Sequence, residues 1–261
     1  MTEFKQINWL YSYPKSGNTW VRLLFDAYFR GELDINEILC SVGDDGIQRY
    51  DLGDKSPIGK WPIDIQQLMR PAAMLRTVTS YNAVDLDIPL IVKTHQANVI
   101  ANGIELLPAA LTRSTILLVR DPRDVMPSFA NHLGLTHDEA TSVMENKSQV
   151  LAAKEHRVSD YLGRWDNHVE SCLSANEHNV LMVKYEALRE NPEAWFWRML
   201  EHVGVKPDEA RVQKAVEMTE LGRLRKLEKE KGFGEGSAKA KDPFFNTGEV
   251  GKKISAGHKS R

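Results

Sequence analysis

Ile7-Asn8-Trp9-Leu10-Tyr11-Ser12-Tyr13-Pro14-Lys15-Ser16-Gly17-Asn18-Thr19-Trp20 runs from an apolar stretch through a turn into a helical pattern. The first six residues form a short apolar run that a Tyr-Pro pair then breaks, which predicts a buried strand. From Thr19 to Phe29 the apolar positions Trp20, Val21, Leu23, Leu24, Ala27 and Tyr28 make a broad helical stripe. The turn between them has the chemistry of an anion cradle. Gly17 lets backbone approach a ligand closely, Ser16, Asn18 and Thr19 offer donors, and the free N–H groups and dipole of the following helix favour negative charge. Lys15 adds a mobile cation able to follow charge onto a leaving oxygen. A Pro/Gly turn with a helix cap is the plainer reading of the same segment, although ordinary turns rarely place Lys, Ser, Gly, Asn and Thr in succession. The segment is not a Walker A motif: its lysine precedes the single glycine, and no Gly-Lys-Ser/Thr follows.

Three more apolar runs read as strands: Leu90 to Thr94 after Pro89, Thr115 to Arg120 stopped by Asp121-Pro122, and Asn179 to Tyr185. Most lack alternation at their centres, as strands covered on both faces do. Asp124 to Leu133, Ser159 to Leu173 and Pro192 to Val203 suit helices, the last with proline near its first turn. Strands alternating with helices predict an α/β fold, a three-layer α/β/α arrangement with a mainly parallel central sheet and P-loop-like nucleotide-binding topology. Residues 1–261 read as a single domain. Gly31 to Pro89 reads as helices and loops over the site, and the Gly- and Lys-rich Lys231 to Lys241 as flexible, so segments near 31–89 and 229–243 are expected on the acceptor side.

Two strand ends carry further chemistry. Arg120 closes the third run, where open α/β sheets bind ligands, and its guanidinium suits bidentate phosphate contact, with Ser128 able to donate from the next helix. An Arg–Asp pair fixing the turn is the alternative, and Arg123 fits that better than Arg120 does. Lys93-Thr94-His95 closes the second run on the same edge as the cradle. Histidine is the best general-base candidate near neutral pH. Most single histidines are structural or exposed, but this one ends a strand beside a lysine. For transfer to a hydroxyl, His95 suits removal of the acceptor proton, and Lys15 with Lys93 suits stabilisation of the departing charge. The other histidines lack such placement, and no metal-ligand spacing occurs, so no metal is expected.

Lysine plus arginine total 34 against 36 acids, a formal net charge of -2, so any anion site is local and no global field recruits nucleic acid or anionic membrane. Cys40 and Cys172, far apart, read as free thiols. Without a signal-like h-region or a run near ~18 apolar residues, a cytoplasmic protein is expected.

Taken together, these residues resemble the cytosolic sulfotransferase family. Tyr13 to Trp20 is similar to its 5′-phosphosulfate loop, Lys93-Thr94-His95 to its catalytic segment, and Arg120-Asp121-Pro122-Arg123-Asp124 with Ser128 to its 3′-phosphate site. The likeness continues in order through Trp165-Asp166-Asn167-His168-Val169, Tyr185-Glu186-Ala187-Leu188 and Asn191-Pro192, and in style it is nearest to bacterial members acting on natural products. The resemblance implies 3′-phosphoadenosine-5′-phosphosulfate (PAPS) as sulfuryl donor and adenosine 3′,5′-bisphosphate (PAP) as product; a small-molecule alcohol or phenol is the expected acceptor because His95 suits hydroxyl activation, with an amine as the alternative. It implies that Lys15, Ser16, Gly17, Asn18, Thr19 and Trp20 hold the 5′ end, with Trp20 near the adenine. Arg120 and Ser128 would hold the 3′-phosphate, while Tyr185, Thr219 and Gly248 would contact the nucleotide. His95 would be the base, with Lys15, Lys93 and Ser128 assisting. Trp20 equally suits a helix core, and Tyr185 a strand-end aromatic.

The likeness departs near the C-terminus. Phe244 to Lys253 keeps both glycines of the family's Arg-Lys-Gly and Gly-Asp-Trp-Lys segments but lacks the basic pair and the tryptophan. Either Lys252 and Lys253 substitute, or Arg120 carries more of the 3′-phosphate. The sequence reaches Arg261 without the family's closing amphipathic helix. Two other readings remain: a P-loop-like phosphotransferase, which would need the missing Gly-Lys-Ser/Thr, and a catalytically silent PAPS- or PAP-binding protein.

Overall fold

Parallel pairing of the four apolar runs builds the molecule. A computed structural model describes residues 6–38, 60–84, 87–151, 158–246, 248 and 251. In chain order the elements are β1 (Ile7–Ser12), α1 (Asn18–Arg30), α2 (Ile63–Leu68), α3 (Arg70–Asn82), β2 (Ile91–Thr94), β3 (Ile100–Ala101), β4 (Ile104–Glu105), β5 (Thr112–Val119), α4 (Pro122–Leu133), α5 (His137–Glu145), β6 (Val150–Leu151), β7 (Asp160–Tyr161), α6 (Trp165–Leu173), β8 (Val180–Lys184), α7 (Tyr185–Glu190), α8 (Pro192–His202), α9 (Glu209–Met218) and α10 (Leu221–Lys231). The main sheet has the order β2-β1-β5-β8 and every pairing in it is parallel. The carboxyl ends of all four strands therefore lie on one edge. The order turns back at β1, and the crevice beside such a reversal is where open α/β sheets bind ligands.

Side-chain alternation along the strands divides the core into two layers. Leu10, Ile116, Leu118 and Val183 pack with Val21, Leu24 and Phe25 of α1, Phe196 and Met199 of α8, and Val212 and Ala215 of α9. On the opposite face, Ile7, Trp9, Tyr11, Val92 and Leu117 pack with Ala73, Met74 and Val78 of α3 and Cys172 of α6. Each fully buried large apolar side chain contributes about 1.5–3 kcal/mol of transfer free energy. The sheet is thus covered on both faces by helices, as the apolar runs predict.

Several boundaries differ from the sequence reading, for physical reasons. β5 starts three residues early, at Thr112, because its polar residues are satisfied inside the sheet. Trp9 Nε1 donates to Thr112 Oγ1 at 2.9 Å and Ser114 Oγ donates to Asn8 Oδ1 at 2.7 Å. The expected helix from Ser159 begins only at Trp165. Asp160 and Tyr161 instead pair with Val150 and Leu151, and the Gln149 carbonyl takes the Leu162 and Gly163 N–H groups at 2.9 and 3.0 Å. Within 31–89, where helices and loops over the site are expected, α3 covers one face of the sheet; its buried Arg70 pairs with buried Asp160. Within 229–243, residues 229–231 complete α10. Cys172 is a buried free thiol whose pKa burial pushes up to about 12, and Cys40 lies outside the described residues. Among the described residues no helix is long and apolar enough to cross a membrane.

Candidate active site

The turn from β1 into α1 holds two residues in the left-handed region, Lys15 at φ 70° and Gly17 at φ 100°. A Cβ on Gly17 would meet Tyr185 Cδ2 at 2.6 Å, so only glycine lets the ring at the end of β8 lie against this loop. Gly17→Ala is expected to lower stability by about 1–2 kcal/mol from the backbone alone and to displace Tyr185. A chemical-denaturation midpoint equal to wild type would contradict this.

The helix that follows has its N-terminus open. Gly17 provides no side-chain cap for α1, and the first turn contains no acid. Ser16 is 1% exposed, yet its hydroxyl has no partner, and neither has the buried Nε1 of Trp20. Buried polar atoms left unpaired cost stability unless a ligand completes them. A glycine turn, an uncapped helix start and a buried orphan hydroxyl fit a phosphate or sulfate group. The Asn18 side chain also serves the fold: its Nδ2 donates to Leu10 O at 3.0 Å and to Ser12 Oγ at 3.1 Å, tying α1 to β1.

The neighbouring strand ends converge on this loop. Arg120 follows β5, donates from Nη1 to Lys15 O at 3.2 Å, and lies 4.5 Å above the Tyr185 ring. Lys93 of β2 pairs in register with Leu10 of β1. Burial, with the Arg120 and Lys93 charges against those of Glu235 and Glu228, brings the Lys15 ammonium down to about 8. His95 Nδ1 lies 2.7 Å from Ser12 O. A carbonyl only accepts, so Nδ1 carries the proton and Nε2 is the basic nitrogen of the neutral ring. The imidazole is thereby fixed to the end of the strand that feeds the anion loop.

The remaining candidates fall around this centre. Ser128 is half-buried on α4, one turn beyond Asp124, whose Oδ2 accepts the Gly251 N–H at 2.8 Å. Gly248 has φ 58°, and a Cβ there would come 3.5 Å from Tyr185 Oη and 2.9 Å from Leu221 Cδ2, so Gly248 lies on the Tyr185 side of the site. Thr219 is buried at the end of α9, but its hydroxyl turns back to Ala215 O at 2.9 Å, so its donor is committed to its own helix. Arg123 forms the turn-fixing pair with Asp121 expected of it. Lys252 and Lys253 lie outside the described residues, and among the described residues no group of three or more His, Cys, Asp or Glu could hold a metal.

Three contributors were not legible in the sequence. His168 is fully buried, burial lowers its pKa to about 4, and Nε2 lies 3.0 Å from the His95 carbonyl, so it stays neutral and supports the segment carrying His95. The Phe244 ring lies 3.8 Å from Lys15 Nζ. Glu235 accepts from Thr19 Oγ1 at 3.0 Å across 216 residues of chain. No local pattern links these positions, beyond an acid set between glycines in Gly234-Glu235-Gly236.

Comparison with known proteins bears on the family and the fold. The family model described as "Sulfotransferase domain" matches residues 6–259. Among solved structures, retinol dehydratase with androsterone and the inactive cofactor PAP aligns at TM-score 0.57 and 18% identity, covering 94% of this chain and 74% of that one. Retinol dehydratase with retinol and PAP aligns at TM-score 0.59, 18% identity and the same 94% and 74% coverage. A mouse sulfotransferase complexed with PAP aligns at TM-score 0.57 and 18% identity, over 96% of this chain and 77% of that one.

Proposed function

The chain belongs to the sulfotransferase family, and from that premise we propose that it transfers the sulfuryl group of PAPS to a hydroxyl of a small-molecule acceptor, in the cytoplasm, with His95 as general base. Bound PAPS supplies an electrophilic sulfur and a phosphate leaving group. The chain's own residues divide the remaining work. Ser16, Thr19, Trp20 and the open start of α1 receive the 5′ end, and Lys15 and Lys93 supply positive charge where negative charge accumulates. Arg120, with Ser128, receives the 3′-phosphate, and Tyr185 and Gly248 flank the nucleotide. His95 Nε2 takes the acceptor proton.

One observation carries this reading: parallel strands deliver the loop, the Lys93–His95 segment, Arg120 and Tyr185 to one edge, with His95 tied through Nδ1 to the strand preceding the loop. The test is transfer of labelled sulfate from PAPS to a panel of alcohols, phenols and amines. Apolar alcohols such as those held by the structural neighbours, androsterone and retinol, come first. Label is expected on a hydroxyl acceptor, with EDTA without effect. PAP binding without label transfer to any acceptor would leave a silent binding protein, and EDTA-sensitive turnover of a nucleoside triphosphate would make it a phosphotransferase.

Lys15 gives the reading a pH signature. Its folded pKa of about 8 lies below the ordinary lysine value of 10.5, so the charged form is disfavoured by folding. Its penalty to stability is therefore present below about pH 8 and is relieved as pH rises from 8 towards 10.5. Anion affinity moves the other way, because the cation is lost as pH rises through that window. PAP affinity is expected to fall between pH 7 and 9.5 in the wild type and to stay nearly flat in Lys15→Arg, whose guanidinium remains charged. Parallel pH curves for the two proteins, measured by calorimetry, would contradict the assignment of Lys15.

A further inference from the structure

The chain after α10 crosses the mouth of the anion loop and is tied down along its length. Gly234 N donates to Asn36 Oδ1 at 2.8 Å. The Lys241 and Asp242 N–H groups both donate to Asn131 Oδ1 at 3.0 Å, and Asn131 Nδ2 donates back to Asp242 O at 3.2 Å. The Phe244 and Phe245 N–H groups donate to the two carboxylate oxygens of Glu228 at 2.6 and 2.9 Å. Phe233, Phe244 and Phe245 pack with ring centroids 4.8 to 5.2 Å apart, which makes the strap one cohesive piece.

Between these anchors the strap lays Phe244 against Lys15 and turns Glu235 onto the start of α1. Thr19 Oγ1 donates to Oε2 at 3.0 Å, and Arg22 Nη1 donates to Oε1. Burial alone would raise the Glu235 carboxyl, but the Arg22 and Lys93 charges, with hydrogen bonds from Arg22 and Thr19, outweigh it and hold the group below the usual carboxylate range. An anion is thus already present in a site built for anions, holding one of its hydroxyl donors and sharing its lysines. A second anion brought beside it meets like charge, and one hydroxyl proton cannot serve both.

We propose that Glu235 is a built-in competitor for the phosphosulfate end of the nucleotide: its carboxylate holds the Thr19 hydroxyl and the Lys15–Lys93 field, and gives up both when the nucleotide seats. The inference rests on the nucleotide reading of the loop given above. The carboxylate balances the positive charge of the loop, and nucleotide entry requires exchange of one anion for the other.

The experiment is paired titration of wild type and Glu235→Gln with PAP and with inorganic pyrophosphate. Glu235→Gln is expected to bind both anions roughly 10- to 100-fold more tightly, the range for a charged hydrogen bond removed from a competitor. Unchanged or weaker binding in Glu235→Gln overturns the proposal. Glu235→Asp, with its shorter reach, is expected to give an intermediate gain, and it replaces the glutamine variant if that protein does not fold. PAP binding no tighter than pyrophosphate in either protein would defeat the nucleotide reading, while the pyrophosphate ratio would still decide on Glu235.

Discussion

His95→Ala is expected to lower sulfate transfer about 10²- to 10⁴-fold, the range for loss of a general base, while PAP affinity stays near wild type. The argument is geometric. The ring is oriented by its Nδ1 contact with Ser12 O at 2.7 Å, and its own carbonyl is held by His168, so the backbone of the segment survives removal of the imidazole. Turnover, not binding, should carry the loss. His168→Asn would also loosen the segment, but through position: it should lower turnover less than His95→Ala does, because the His95 imidazole remains. Near-normal turnover in His95→Ala would remove His95 from the mechanism.

Arg120→Ala is expected to weaken PAP binding by about 2–5 kcal/mol, roughly 30-fold or more, as removal of one partner from a buried charge pair does. AMP, which lacks the 3′-phosphate, should lose much less. Some loss for AMP is expected, because Arg120 also donates to Lys15 O and lies over the Tyr185 ring that packs on Gly17. The difference between the two ligands isolates the 3′-phosphate, and calorimetry on both measures it. Equal losses would mean that Arg120 only shapes the loop. Arg120→Lys should restore part of the PAP affinity by charge while leaving the bidentate geometry unmet.

Much of this architecture is legible from local pattern because the strands are covered on both faces. Ile7–Ser12, Ile91–Thr94 and Val180–Lys184 fall within the expected apolar runs, and parallel pairing then sets their ends side by side. The loop, Arg120 and His95 come together because each sits at one of those ends. What escaped was fixed by distant partners. α9 and α10 are mostly polar, with Val212, Ala215 and Leu224 as their buried positions, so their stripes are thin. The expected helix from Ser159 failed because Asp160 is claimed by Arg70 and Leu162 by Gln149. Asn18 Nδ2 ties α1 to β1, and Thr219 donates its hydroxyl to Ala215 O, contacts that no local pattern shows. Glu235 and Phe244 reach the loop only through a strap whose anchors, Asn36, Asn131 and Glu228, are scattered along the chain.

The most direct measurement is a crystal structure of the chain soaked or grown with PAP. The account predicts the 5′-phosphate against Ser16, Thr19 and the first turn of α1, the 3′-phosphate on Arg120, and His95 Nε2 facing the space just beyond the 5′-phosphate. Adenosine bisphosphate lodged elsewhere, or in the loop with the Arg120 side chain turned away from its 3′ end and the imidazole out of reach of that space, would contradict it.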